Sequence, residues 1–253
     1  MGQKEQKILD FVKQQCAFYG FHSHIELSEN EVGRLAHLLD TATDTDVAET
    51  KFPDFICDGG WIEHFAITSG EISEGNGYKN LQLENESLKK IATTMNDSVG
   101  IRFTSVSLSP GSHEHLKQSL KTTWDKHIES FKRSEINRNI NTGIFLIEVD
   151  DRCIITHLSD GKGALYRSPY SICLDLDTLD FIYSSRDIVQ YVIAYHMSPV
   201  WVEVIPTSDI PKIKSNLPSD FIIRFDGVDS RQGSIIFCAG KKDGKEILPN
   251  ENH

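Results

Sequence analysis

The chain has no long hydrophobic run and no paired cysteine motif. None of its 253 residues lies in an apolar stretch of roughly 18 residues, so we expect no transmembrane helix. The opening segment, MGQKEQKILDFVKQQ, has charged residues where a secretory signal has an apolar centre, so we do not expect secretion. The five cysteines are scattered without a C-x-x-C pair, which favours a reducing cytoplasm over a disulfide framework.

Several catalytic motifs are also missing. The sequence contains no Walker or G-x-G-x-x-G phosphate loop, no G-x-S-x-G elbow and no cysteine in a nucleophile signature. Two His-x-His pairs occur, His22 with His24 and His113 with His115. Neither pair has a cysteine or a third histidine at the spacing that zinc sites use. We therefore interpret these histidines as solvated.

Positive charge is scarce. The formal net charge is −11 at pH 7, which is unfavourable for a protein that wraps nucleic acid through its overall field. The segment from Lys117 to Arg138 is a local exception, because basic residues outnumber acids in it. Such a stripe is compatible with phosphate contact, and a solvated helix face is the alternative.

Helical and strand-like patterns alternate along the chain, which is typical of a mixed α/β protein. Apolar spacing predicts helices over residues 3–18 and 113–133, and Ser28 with Glu31 forms a capping box at the start of another helix. GIFLIEVDD predicts a buried strand. In the second half we predict strands in RCIITHL, YSICLDL, VWVEVIP, DFIIRF and GSIIFCA, and a helix in SRDIVQYVIAYH.

The segment KFPDFICDGGWIEHFAITS predicts a hairpin with two unusual acids. Two apolar runs flank the turn Asp58-Gly59-Gly60, and they contain Asp54 and Glu63. Opposed positions on neighbouring strands lie roughly 5 Å apart, and carboxylates that close repel each other unless a proton or cation separates them. Mg²⁺ prefers carboxylate, water and phosphate oxygens. The pattern predicts a two-carboxylate magnesium site, and the solvated face of a structural hairpin is the alternative.

The order Pro53-Asp54, eight residues, Glu63-His64-Phe65 resembles the PD-(D/E)xK nuclease superfamily, which has the fold of restriction endonucleases. The resemblance implies that Asp54 and Glu63 hold the metal and that the carbonyl group of His64 adds a ligand. It also implies Mg²⁺-dependent hydrolysis of DNA phosphodiester bonds.

Phe65 departs from this pattern, because the family has a lysine there that assists the attacking water. A phenyl ring cannot donate to a phosphate or stabilise a hydroxide. Some members supply the basic residue from the following helix, which assigns the role here to Lys121 or Lys126. The rival hypothesis is a catalytically inactive nuclease-like module for binding or assembly, favoured by Phe65 and by the acidic net charge.

The resemblance also sets the expected organisation, a mixed central sheet flanked by helices. The expected parts are an N-terminal helix in residues 1–27, an endonuclease-like core in 28–150, an extension in 151–240 and a flexible tail in 241–253. The extension belongs to the same domain or forms a small second one. We expect DNA as a partner, no membrane contact and a cytoplasmic location. The oligomeric state stays open, with a homodimer as one alternative.

Overall fold

The chain folds into an α/β structure with a six-stranded mixed sheet flanked by helices, as a computed structural model shows. The structure describes residues 2–45, 52–70, 102–106, 111–134, 142–151, 154–159, 165–197, 200–217, 222–227, 234–238, 241–242 and 245–246. The expectation of a mixed sheet with flanking helices is confirmed. The polar sequence of residues 70–90, GEISEGNGYKNLQLENESLKK, indicates a loop, and this segment lies outside the described residues except at Gly70.

The helices and strands are numbered in chain order. The helices are α1 (Gly2–Tyr19), α2 (Glu29–Thr41), α3 (His113–Arg133), α4 (Leu176–Tyr183) and α5 (Ile210–Asn216). The strands are β1 (Thr43–Asp44), β2 (Phe55–Cys57), β3 (Gly60–Thr68), β4 (Arg102–Val106), β5 (Thr142–Asp150), β6 (Ile154–Ser159), β7 (Leu165–Pro169), β8 (Tyr191–Met197), β9 (Val200–Pro206), β10 (Ile222–Gly227), β11 (Ser234–Cys238), β12 (Lys241–Lys242) and β13 (Lys245–Glu246).

The main sheet has the strand order β1-β2-β3-β5-β8-β9. The three central strands β3, β5 and β8 run parallel, and the remaining neighbours are antiparallel. All nine residues of β5 are buried, as expected for a strand with a helical layer on both faces. Strands β8 and β9 come from the second half of the chain and extend this same sheet.

Helices α1 and α2 cover one face of the sheet. The Ser28 side chain accepts the amide of Glu31, and the Glu31 carboxylate accepts the amide of Ser28, so the predicted capping box is confirmed. Behind this cap the two helices and the sheet form one apolar cluster. Its helical members are Ile8, Leu9, Val12, Cys16, Leu35, Leu38 and Leu39.

Helices α3, α4 and α5 cover the opposite face. The predicted boundaries of α3 are confirmed, and Trp124 is fully buried on its inner side. Phe65 and Phe145 project from the sheet into the same cluster and pack edge-to-face against that ring. The α3 layer therefore lies directly over the centre of β3.

Two predicted elements in the second half are wrong. The segment predicted as a helix, SRDIVQYVIAYH, ends in strand β8, because its β-branched and aromatic residues fill a strand between two partners. The segment predicted as a strand, YSICLDL, instead forms a short 3-10 turn (Ile172–Leu174) that leads into α4. Asp175 is the N-cap of α4, because its side chain accepts the amide of Thr178.

Smaller sheets complete the described part of the chain. Strands β10, β6 and β7 form a three-stranded sheet, and β4 pairs with β11. Within the segment predicted as a flexible tail, β12 pairs with β13, and the remainder of that tail lies outside the described residues. No helix among the described residues is long and apolar enough to span a bilayer.

A substitution at Gly143 tests how closely β5 packs against its neighbours. A Cβ there would collide with the carbonyl oxygen of Ile188 and the ring of Trp61. Gly143→Ala should therefore lower the free energy of unfolding, measured by urea titration, by about 1–3 kcal/mol. Gly33→Ala is the matched control: it lies in α2 with nothing within 4 Å of the new methyl group. That change should raise the same free energy by roughly 0.5–1 kcal/mol. Equal effects of the two changes would contradict the close packing at Gly143.

Candidate metal site

The hairpin brings Asp54 and Glu63 together. Phe55 pairs with Ile62 in the antiparallel ladder, so Asp54 comes opposite Glu63 at the next position. The backbone amide of Asp54 donates to Glu63 Oε2 at 3.0 Å. Glu63 is 6% exposed, although it is an acid in the middle of a strand. The two predicted ligands are therefore neighbours in a largely buried setting.

The Asp54 carboxylate lies at the edge of β3. Strand β2 begins at Phe55, opposite Ile62, so no residue of β2 pairs with His64. The backbone amide of His64 instead donates to Asp54 Oδ2 at 2.7 Å. The His64 ring points to the other face, where its Nε2 lies 3.8 Å from Glu148 Oε2. Lys4 donates to the same Glu148 oxygen at 2.9 Å. Burial, and then the charge of Lys4, lower the pKa of His64 to about 4. The backbone amide of His64 therefore contacts Asp54, whereas the imidazole ring of His64 lies near Glu148.

His127 of α3 is the basic side chain that contacts this pair. Its Nδ1 lies 2.5 Å from Glu63 Oε1. Its ring stacks on Phe65, with centroids 4.8 Å apart and an interplanar angle of 13°. The sequence pattern alone does not single out His127, because it competes with Trp124 for the same apolar position of the helix. The sequence feature that indicates His127 is its position three residues after Trp124, next to the buried side of α3.

The two lysines proposed for α3 lie elsewhere on that helix. Lys121 and Lys126 are both exposed. Within the part of the chain that the structure describes, no hydrogen bond or ion pair joins either lysine to Asp54 or Glu63. The structure brings Asp54, Glu63 and the His64 backbone together, and it adds His127 where a lysine was expected.

The charge around Asp54 is incompletely balanced. Burial, and then the neighbouring Glu63, raise the pKa of Asp54 from 3.8 to about 7, while the His64 amide opposes the rise. Glu5 of α1 raises the pKa further, and His127 lowers it. Glu5 Oε2 is itself buried and has no hydrogen-bond partner. Two acids, Glu63 and Glu5, thus oppose the ionisation of Asp54, and His127 favours it.

This donor set fits a hard divalent cation. Mg²⁺ is commonly held by one or two carboxylates together with water and phosphate oxygens. Asp54 and Glu63 supply the two carboxylates, and the unpartnered Glu5 oxygen is a third acceptor close by. Among the described residues these acids do not form a compact cluster with a third His, Cys, Asp or Glu ligand. The site therefore fits an ion that keeps several waters and not a cation enclosed by protein ligands alone.

The chain was compared with protein-family models, curated proteins and solved structures, and none of them matches it.

Some histidines expected to be solvated are instead bound to buried acids. His113 Nε2 lies 2.6 Å from Asp175 Oδ2, and its ring stacks on Phe225. His24 Nε2 lies 3.5 Å from Glu203 Oε1. The interpretation of His113 as solvated is wrong, whereas His24 stays exposed although it contacts Glu203. Sequence spacing does not reveal their partners, because each acid lies more than 60 positions away along the chain.

The raised pKa of Asp54 predicts a stability that falls with pH. Below about pH 4 the carboxyl group is protonated in both the folded and unfolded states. Between pH 4 and 7 the unfolded state ionises first, so folding loses stability, and the full loss is present above pH 7. In metal-free buffer, Asp54→Asn should therefore raise the free energy of unfolding by roughly 1–2 kcal/mol at pH 8 and very little at pH 4.

The measurement is urea unfolding at both pH values in the presence of a chelator. Asp10→Asn is the control, because Asp10 is an exposed acid of α1 that pairs with Gln6. We expect no comparable gain from that change. A loss of stability in Asp54→Asn at pH 8 would mean that the ionised Asp54 is already compensated.

Proposed function

We propose that the chain is a nuclease of the restriction-endonuclease-like kind that hydrolyses DNA phosphodiester bonds with Mg²⁺. The observation that carries this proposal is the meeting of Asp54 and Glu63 at the edge of β3, with too little positive charge to balance them. Two buried acids without a compensating cation cost stability, and such sites are retained where the charge is used.

The order of the elements supports the same proposal. The hairpin β2–β3 is followed by helix α3 and then by β5, which pairs in parallel with β3. The resemblance to the PD-(D/E)xK superfamily implies a core in the order helix, hairpin, further strand, helix and strand. The elements follow this order along the chain, but the further strand, β4, pairs with β11 and not with the main sheet. Glu63 lies within β3, and Asp54 lies immediately before β2.

Each residue of the site has a separate part. Asp54 and Glu63 would hold the cation, which supplies an activated water and stabilises the charge on the leaving oxygen. His127 orients Glu63 through Nδ1, which carries the proton because a carboxylate only accepts. His127 Nε2 is then the nitrogen that takes a proton from the attacking water. The stack on Phe65 fixes the plane of the imidazole and keeps one of its faces away from solvent.

A second candidate function is a catalytically silent module that binds a partner through the same fold. Phe65 favours it, because this buried ring occupies the position of the lysine that the family uses. The net charge of −11 also favours it, since an acidic protein gains little from the general field of DNA. The two functions differ in whether DNA is cut when the metal is bound.

Metal binding and cleavage should be measured together. We expect calorimetric titration with Mg²⁺ or Mn²⁺ to show binding to the wild-type chain, and Asp54→Asn and Glu63→Gln to lower the affinity by more than about tenfold. Cleavage of plasmid DNA in Mn²⁺ or Mg²⁺ should be lost in both variants. Asp58→Asn is the matched control, because Asp58 is an exposed acid in the turn of the same hairpin.

The outcomes separate the two functions. An absence of metal affinity in the wild-type chain would reject the nuclease. Metal binding that Asp54→Asn abolishes, without cleavage of single-stranded, double-stranded or supercoiled DNA, would support the binding module.

The source of the basic group can be tested on α3. His127→Ala should lower kcat by about 10²-fold or more, as expected for loss of a general base, and should flatten the pH–rate profile. Lys121→Ala and Lys126→Ala change exposed residues of the same helix and are the controls. If His127→Ala cleaves DNA normally and one of the lysine variants does not, that lysine and not His127 is the basic residue of the site.

A further inference from the structure

A second polar cluster lies where the 3-10 turn packs against β9. Glu203 of β9 is fully buried. Its Oε1 accepts from Ser171 Oγ at 2.6 Å and from the Cys173 amide at 3.3 Å. Its Oε2 accepts from the Ile172 amide at 3.1 Å and faces His196 Nε2 at 3.2 Å. This carboxylate is therefore held in one orientation from several sides.

The segment after α1 brings a histidine to the same place. The amide of Val204 donates to the carbonyl oxygen of His22 at 2.8 Å, so this segment runs beside β9. Two residues on, His24 Nε2 lies 3.5 Å from Glu203 Oε1 and 3.3 Å from Ser171 Oγ. Cys173 Sγ completes the group, because the ligand atoms of His24, Cys173 and Glu203 all lie within 4.8 Å of one another.

We propose that His24 Nε2, Cys173 Sγ and Glu203 Oε1 form a binding site for a transition-metal ion of the zinc class, separate from the Asp54–Glu63 site. Imidazole nitrogen, thiolate sulfur and carboxylate oxygen are the three ligand types that zinc takes in proteins. Zinc bonds of about 2.0–2.3 Å in a tetrahedral site set ligand atoms roughly 3.3–3.6 Å apart. The 3.5 Å separation of His24 Nε2 and Glu203 Oε1 already lies in that range.

An acid and an imidazole lie directly behind Glu203. His196 lies between Glu203 and Asp151, with its Nδ1 2.8 Å from Asp151 Oδ2, and all three side chains are fully buried. Two carboxyl groups thus face one imidazole, and a divalent ion beside Glu203 would add positive charge to this group.

Cysteine binds zinc through its deprotonated sulfur, so Cys173 would enter the site as a thiolate. The proton of the thiol would be released to solvent when the ion binds.

The partners behind Glu203 resemble the support that metal ligands receive. The His196 ring contacts Glu203 through Nε2 and Asp151 through Nδ1, so the orientations of the Glu203 carboxylate and the imidazole are both fixed. Asp151 Oδ1 is buried without a hydrogen-bond partner, so these side chains hold more negative charge than their donors satisfy. Ligands that are preset in this way need little rearrangement when the ion arrives.

The site is reached from the His24 side. The His24 side chain is 30% exposed, whereas Glu203 is fully buried. A cleft of about 490 Å³ lined by His22 and Trp201 lies next to it, with the His22 and His24 rings 6.5 Å apart. The fourth coordination position therefore faces this side, where it can take water or a donor from a bound molecule.

Cobalt titration tests the site directly, because Co²⁺ bound by a thiolate has a charge-transfer absorption that Mg²⁺-type sites lack. We expect the chelator-treated full chain to bind one equivalent of Co²⁺ with this absorption, and Zn²⁺ to displace it. Cys173→Ser should abolish the absorption. His24→Ala should lower the Co²⁺ affinity by more than about tenfold.

Three controls sharpen the result. Cys57→Ser changes another buried free cysteine, His22→Ala changes the neighbouring histidine, and Asp54→Asn changes the hairpin site. All three should keep the absorption. If Cys173→Ser does not fold, His24→Ala still decides the matter, because the His24 side chain is partly exposed. No thiolate absorption in the wild-type chain, or full affinity in His24→Ala, would overturn the proposal.

Discussion

The burial of β3 on both faces is the constraint on which the rest of the molecule depends. This strand lies between β2 and β5, with the α1–α2 layer on one side and α3 on the other. Its side chains alternate between the two cores, so Ile62 enters one and Phe65 the other. Glu63 and His64 follow the same alternation and cannot reach solvent freely. An acid at such a position needs donors, and the Asp54 amide and His127 provide them.

The two buried acid sites differ in how completely they are satisfied. Glu203 has backbone and side-chain donors on both oxygens and a charged imidazole beside it, which together outweigh burial and lower its pKa. Asp54 has one amide donor and two neighbouring acids, and its pKa is raised. The first arrangement fixes a carboxylate in place. The second leaves a carboxylate that ionises less readily, because burial and the neighbouring acids outweigh its one donor.

Local patterns in the sequence predict the elements next to these sites. The capping box at Ser28, the hairpin around Gly59 and the limits of α3 all depend on residues close together in the chain, and all are confirmed. Strand β8 is not predicted, because a segment buried between two strands has no amphipathic period to distinguish it from a buried helix.

The contacts within each site are harder to predict than the elements. Asp54 and Glu63 lie nine positions apart in one hairpin, so their spacing alone brings them together. His127 reaches Glu63 across 64 positions, and His24 reaches Ser171 across 147. Those contacts follow from how α3 and the segment after α1 pack on the sheet. No spacing rule within one sequence contains that information.

The same packing explains why position 65 holds a phenylalanine and not a lysine. Phe65 is 5% exposed and lies among the rings of Trp124, Phe145 and His127. A lysine here would have to bury its ammonium group in an aromatic cluster, at a cost of several kcal/mol. With α3 packed this closely on β3, the helix brings a basic group to Glu63 through His127. The phenylalanine and the histidine are therefore two consequences of one arrangement.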